Sequence, residues 1–110
     1  MKPKIVVIDV GVEFSRAPAG RFHSDGNSSA EAFFIHTLDG LLSDGYSVNL
    51  EFHNVLQAGS TFLYHLTGLL ANYGYDSKVK VVKDDDFEYT IRRWDKYMKE
   101  HKDNKGVTSE

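Results

Sequence analysis

The sequence predicts a small two-layer α/β domain: a mixed, mostly parallel sheet with its helices gathered on one face. Three observations predict it. Strand-like and helix-like segments alternate along the chain, an order that favours parallel strands reached by right-handed crossovers. The second and third strand segments each alternate apolar with polar residues, so each keeps a polar face and the helices belong together on the other side. At 110 residues the chain suits one domain able to bury roughly two-thirds of its unfolded surface without a staple.

Taken in order, Lys4 to Val10 reads as the first strand. Its centre, Ile5 to Ile8, is β-branched and continuously apolar, as an interior strand would be. Val12-Glu13-Phe14 and Arg21-Phe22-His23 suggest a short hairpin around Pro18 and Gly20. Ala30, Phe33, Phe34, Thr37, Leu38, Leu41 and Leu42 then recur at helical intervals as a broad apolar stripe. Ser28 with Glu31 reads as a capping box at its start, and Gly45 as its left-handed stop.

Ser47 to Phe52 alternates Val48, Leu50 and Phe52 against Asn49 and Glu51, a half-buried strand. A second helix is predicted from Thr61 to Tyr73, and a third strand from Lys78 to Lys83. The third helix opens in Asp84-Asp85-Asp86, where carboxylates meet the positive helix end. It carries Phe87, Ile91, Trp94 and Met98 as a narrow seam, with Glu88/Arg92 and Asp95/Lys99 as supporting pairs. A single domain over 1–101 and a polar, fraying tail over 102–110 complete the expected organisation.

Composition removes several function classes. With no cysteine there is no disulfide framework, thiolate metal site or cysteine nucleophile. The net charge is −3, with the dense C-terminal charges balanced in sign; nucleic-acid binding would need a positive excess. No run of about 18 apolar residues is present, so no membrane partner is expected, and the short apolar run after Met1-Lys-Pro-Lys4 does not read as a secretory signal. A cytoplasmic location is the expectation.

The loop Phe14-Ser15-x-x-Pro18-x-Gly20-Arg21-x-x-x-Asp25-Gly26-x-x-Ser29-x-Glu31-x-Phe33 resembles the signature of the STAS-like domains of unknown function. These are small bacterial modules related to the anti-sigma-factor antagonist domains. Gly59-Ser60-Thr61-Phe62-Leu63 is similar to that family's Gly-Ser-Ser-Phe-Leu, and the likeness spans residues 4–83. It implies an α/β module that acts in partner-switching signalling with a histidine-kinase-like ATPase. The chain departs from the pattern at Thr61, which keeps a hydroxyl, and at Phe52-His53-Asn54, which replaces the usual acidic residues after the second strand and argues against a metal-assisted or kinase-docking role.

Two sets of residues are candidates for function. Ser60 and Thr61 are phosphoacceptor-like: a phosphate at a helix start meets free amides and the positive helix end. Serine at that place also commonly serves as an N-cap. Arg21, with Asp25, Gly20 and Gly26, forms a loop for a ligand or partner, in which Arg21 either forks an anionic group or pairs internally with Asp25. The histidines at 23, 36, 53, 65 and 101 show no helical metal-ligand spacing, though His53 and His65 could converge near the exit of the second strand. Ala58-Gly59-Ser60-Thr61-Phe62 lacks the second glycine of a nucleophile elbow.

The sequence therefore points to a non-enzymatic signalling and protein-interaction module, without cofactor or metal. A domain binding a small anionic metabolite or nucleotide at the same surface is the alternative. A structural homo-oligomer, dimerising through Tyr89 and Tyr97 on the third helix, is a third.

Overall fold

Ile5–Asp9 forms β1 in the computed structural model, which describes residues 4–107. Asp9 ends the strand by turning its carboxylate onto the Val12 amide at 3.1 Å, which starts a single helical turn, α1 (Val10–Glu13). A long loop follows, with one 3-10 turn at His23–Asp25. Next comes a continuous helical rod made of α2 (Ala30–Phe33), a π-helical stretch (Phe34–Leu38) and α3 (Asp39–Ser43). Strand β2 (Ser47–Glu51), helix α4 (Ser60–Asn72), strand β3 (Val79–Val81), a 3-10 turn (Asp85–Phe87) and helix α5 (Glu88–Val107) complete the order.

Among the described residues the sheet has three strands in the order β1-β2-β3, all parallel. Ile5 stands opposite Ser47 and Asp9 opposite Glu51, while Val48 stands opposite Val79. Strand alternation then sorts the side chains. Ile8, Val48, Leu50 and Val79 are buried with Phe33, Leu38, Leu42, Phe62, Leu63, Leu66 and Leu70 from the helices. Ile5, Val7 and Lys80 stand exposed on the opposite face. The helices therefore cover one face of a two-layer α/β domain.

The structure corrects several local expectations. β1 is an edge strand, not an interior one; Ile5 is 55% and Val7 53% exposed. The apolar run is shared between the core and an open face. The hairpin around Pro18 does not form, because Asp9 caps α1 where Val12-Glu13-Phe14 would have been extended. Gly11 lets that turn close: a Cβ there would lie 2.2 Å from the Asn54 carbonyl oxygen.

The first long helix is capped one residue later than the sequence pattern suggests. Ser29 Oγ accepts from the Ala32 amide, whereas Ser28 Oγ donates to Ser15 Oγ and Glu31 Oε1 accepts from the His23 amide. Helix α4 begins at Ser60, with Gly59 as its N-cap. Helix α5 runs on to Val107, beyond the expected start of the tail, and Lys102 reaches Asp76 at 3.7 Å. Residues 108–110 of that tail lie outside the described residues.

Helix α5 lies against α4. Gly68 on α4 is buried, and a Cβ there would meet the His101 ring at 3.1 Å. His101 Nε2 donates to the Tyr64 carbonyl at 2.9 Å, and the Tyr64 and Tyr97 rings meet edge-on. Trp94 and Met98 are buried, as their seam predicts, with Phe87 and Ile91 half-buried beside them. Among the described residues, no helix is long and apolar enough to cross a membrane.

Candidate functional site at the carboxyl end of the sheet

Parallel strands leave their carboxyl ends at one edge of the sheet, and the loops that follow them gather there. In this chain those loops carry both stretches singled out from sequence. The Leu56 amide donates to the Arg16 carbonyl at 2.7 Å, and the Gly59 amide to the Pro18 carbonyl at 3.0 Å. Beneath them, Phe14 lies 4.6 Å from Phe33 and 6.1 Å from Phe62, ring centre to ring centre. The phenylalanines of the two motifs therefore form the floor that holds both loops.

Ser60 and Thr61 are exposed at the first turn of α4. Gly59 occupies the N-cap and supplies no side-chain bond, so neither hydroxyl is consumed in capping. Neither has a hydrogen-bond partner among the described residues. The first α4 amides precede the bond from Leu63 to the Gly59 carbonyl, so they face outward at the positive end of a 13-residue helix. Leu56, just before them, is 79% exposed.

The Arg21 loop is organised differently from an arginine–carboxylate pair. Asp25 Oδ2 accepts from the amides of Arg21 and Phe22 at 3.1 and 3.0 Å. Those two bonds hold the Asp25 carboxyl below the ordinary carboxylate range. No ion pair joins Arg21 to Asp25 among the described residues; the guanidinium is exposed and lends only a weaker field. The carbonyls of Gly20 and Arg21 in turn accept the Ala30 and Glu31 amides, so the loop caps α2. Of the loop's amides, those of Arg21 and Phe22 are taken by the loop's own carboxylate and that of Gly26 by the His23 carbonyl. Gly20 needs its positive φ of 94° to make this turn, and Gly26 adopts 130° at its end.

His65 belongs to the same neighbourhood. The Phe22 ring sits edge-on at 5.0 Å from it, and this burial lowers the imidazole's pKa, opposed by Glu31 and reinforced by Arg21. His23 and His36 meet head to head, Nε2 to Nε2 at 2.9 Å, one donating and the other accepting. His36 reaches this position from the π-helical stretch.

Sequence reasoning missed a cluster at the ends of β1 and β2. Asp9, Glu51 and His53 bring donor atoms within 4.8 Å of one another. His53 Nε2 lies 3.3 Å from Asp9, and its Nδ1 lies 3.7 Å from Glu51. Asn54 Nδ2 donates to Asp9 at 2.6 Å, and Glu13 accepts the Asp9 amide at 2.8 Å. Partial burial pushes the Asp9 carboxyl up, but Asn54, the Val12 amide and His53 together outweigh it and leave the pKa lowered. These three side chains are the set that could hold a divalent cation. As placed, the imidazole reaches Asp9 through Nε2 and Glu51 through Nδ1. The sequence signal was Asp9 and Glu51 each closing an apolar strand, but only register makes them neighbours. His53 joins this cluster and does not converge with His65.

Comparison with family models, curated proteins and solved structures returns no match for this chain.

Proposed function

We propose that the chain is a non-enzymatic, STAS-like protein-interaction module, read by a partner at the carboxyl end of its sheet and switched by phosphorylation of Ser60 or Thr61. The observation that carries this reading is the state of the two hydroxyls: exposed at a helix start and spent on no cap or internal bond. A phosphate there would add roughly two negative charges and three acceptor oxygens beside outward-facing amides. It would order itself on the helix end while changing the charge of the contact. Exposed Leu56 next to these hydroxyls supplies the apolar anchor such a contact needs. The loop hydrogen bonds from Leu56 and Gly59 to Arg16 and Pro18 give the surface a fixed shape.

The partner expected from the resemblance is a histidine-kinase-like ATPase. The test incubates the chain with such an ATPase from the same genome and ATP, then locates phosphate by mass spectrometry. Affinity is measured alongside for Ser60→Asp and Thr61→Asp. Phosphate at either hydroxyl, and loss of partner binding in the matching variant with melting temperature preserved, are expected. Unchanged binding in both variants, or no incorporation at either residue, defeats the proposal. The anionic-ligand alternative is weakened at the Arg21 loop, where Asp25 holds the amides.

A further inference from the structure

The geometry points to a homodimer in which β1 of one copy pairs antiparallel with β1 of a second, about a two-fold axis at Val6. Two bonds establish which way the β1 backbone faces. Ser47 donates to the Lys4 carbonyl, so Lys4, Val6 and Ile8 direct their backbone groups toward β2. The Asp9 amide, of opposite parity, donates outward to Glu13. The amides and carbonyls of Ile5 and Val7 therefore point away from the sheet.

The middle of this edge carries none of the usual protections. Between Ile5 and Ile8 there is no charge, proline or bulge, and the side chains of Ile5 and Val7 are more than half exposed. An edge of this kind is a template for another strand. The opposite edge differs, because Lys78, Lys80 and Lys83 line β3 and α5 runs beside it.

A second copy is the occupant that the ends of β1 select. Lys4 stands at its amino end, while Asp9, Glu13 and the neighbouring Glu51 gather at its carboxyl end. Antiparallel pairing brings the basic end of each copy beside the acidic end of the other. Parallel pairing would oppose like charges. With the axis at Val6, Ile5 of one copy exchanges backbone hydrogen bonds with Val7 of the other, and their side chains meet on the open face. The Asp9–Glu13 bond closes the patch at its end and is kept intact. The result is a continuous sheet across both copies, and the Ser60 surface stays free.

The contact is strand-sized, so association should depend on concentration and weaken with added salt. Sedimentation velocity over a concentration series of the full chain is expected to show mass rising from 12.4 kDa toward twice that value. Val7→Pro removes an amide that the monomer leaves unpaired, which an edge strand tolerates, and should give a folded monomer. Ile5→Lys should do the same and decides the matter should the proline variant fail to fold. Val82→Lys, exposed just past the end of β3, should leave the dimer intact. A monomer at every concentration, a dimer that survives Ile5→Lys, or one broken equally by Val82→Lys would overturn the proposal; the last would place the contact near the end of β3.

Discussion

Gly59 donates its backbone amide to the carbonyl of Pro18 across 3.0 Å, and a Cβ on Gly59 would stand 3.6 Å from that same oxygen. One bond thus seats the start of α4 against a loop that precedes it by a whole helix and strand. Its consequence is that two short motifs become one surface. The strength of that surface depends on what orders each loop, which is measurable residue by residue.

Asp25, and not Arg21, is expected to hold the first loop. Asp25→Ala releases two amides and removes the turn that caps α2, so its melting temperature should fall. Arg21→Ala should leave it nearly unchanged. The double variant should match the sum of the singles, because no direct pair couples them. A thermal-denaturation cycle checks this, and strong non-additivity would show that the guanidinium orders the loop after all.

Two glycines should respond in opposite directions to the same methyl group. Gly11→Ala drives a Cβ into the Asn54 backbone, so a loss of about 3 kcal/mol, the upper end for overpacking, is expected. Gly40→Ala, in α3 with open space around it, should stabilise by about 0.5–1 kcal/mol. Urea denaturation of the pair reads both values. Equal small effects would mean that the close approach at Gly11 is relieved by backbone movement.

Trp94 is 3% exposed and belongs to the core. Trp94→Ala should cost about 3–5 kcal/mol. Native tryptophan emission should be blue-shifted and poorly quenched by iodide. A red-shifted, readily quenched emission would place the ring at the surface.

Acidification should weaken the fold through His65. Burial against Phe22 lowers its pKa below 6.5, so in that range the unfolded chain binds more protons than the folded one. This contribution is complete above the unfolded value and is lost as pH falls through the folded one. The melting temperature should therefore drop as pH falls from about 6.5, the ordinary histidine value, through the lowered folded one. His65→Gln should flatten the decline, as should Phe22→Ala, which returns the imidazole to water. An unaltered slope in both variants would assign the acid sensitivity to other groups.

The alternation of strand and helix, the alternating faces of β2, the Trp94–Met98 seam and the helix stop at Gly45 are all visible in the sequence, because each is a local periodicity or a local backbone demand. Gly45 takes its positive φ of 94° wherever the rest of the chain lies. The residues of the candidate surface could also be named, since Pro, Gly and Ser at a helix start report their conformational tastes directly. The remainder depends on who neighbours whom. Ile5 to Ile8 has the composition of an interior strand, but strand order made it an edge, because periodicity says nothing about which strands pair. Arg21 and Asp25 have the spacing of an ion pair, yet backbone amides that turn toward the carboxylate outcompete a long flexible guanidinium. Asp9, Glu51 and His53 are distant or unpatterned in the chain and meet only through parallel register. Local chemistry is written along one dimension; pairing, edges and clusters exist only once the chain has closed on itself, and there the tertiary structure alone decided.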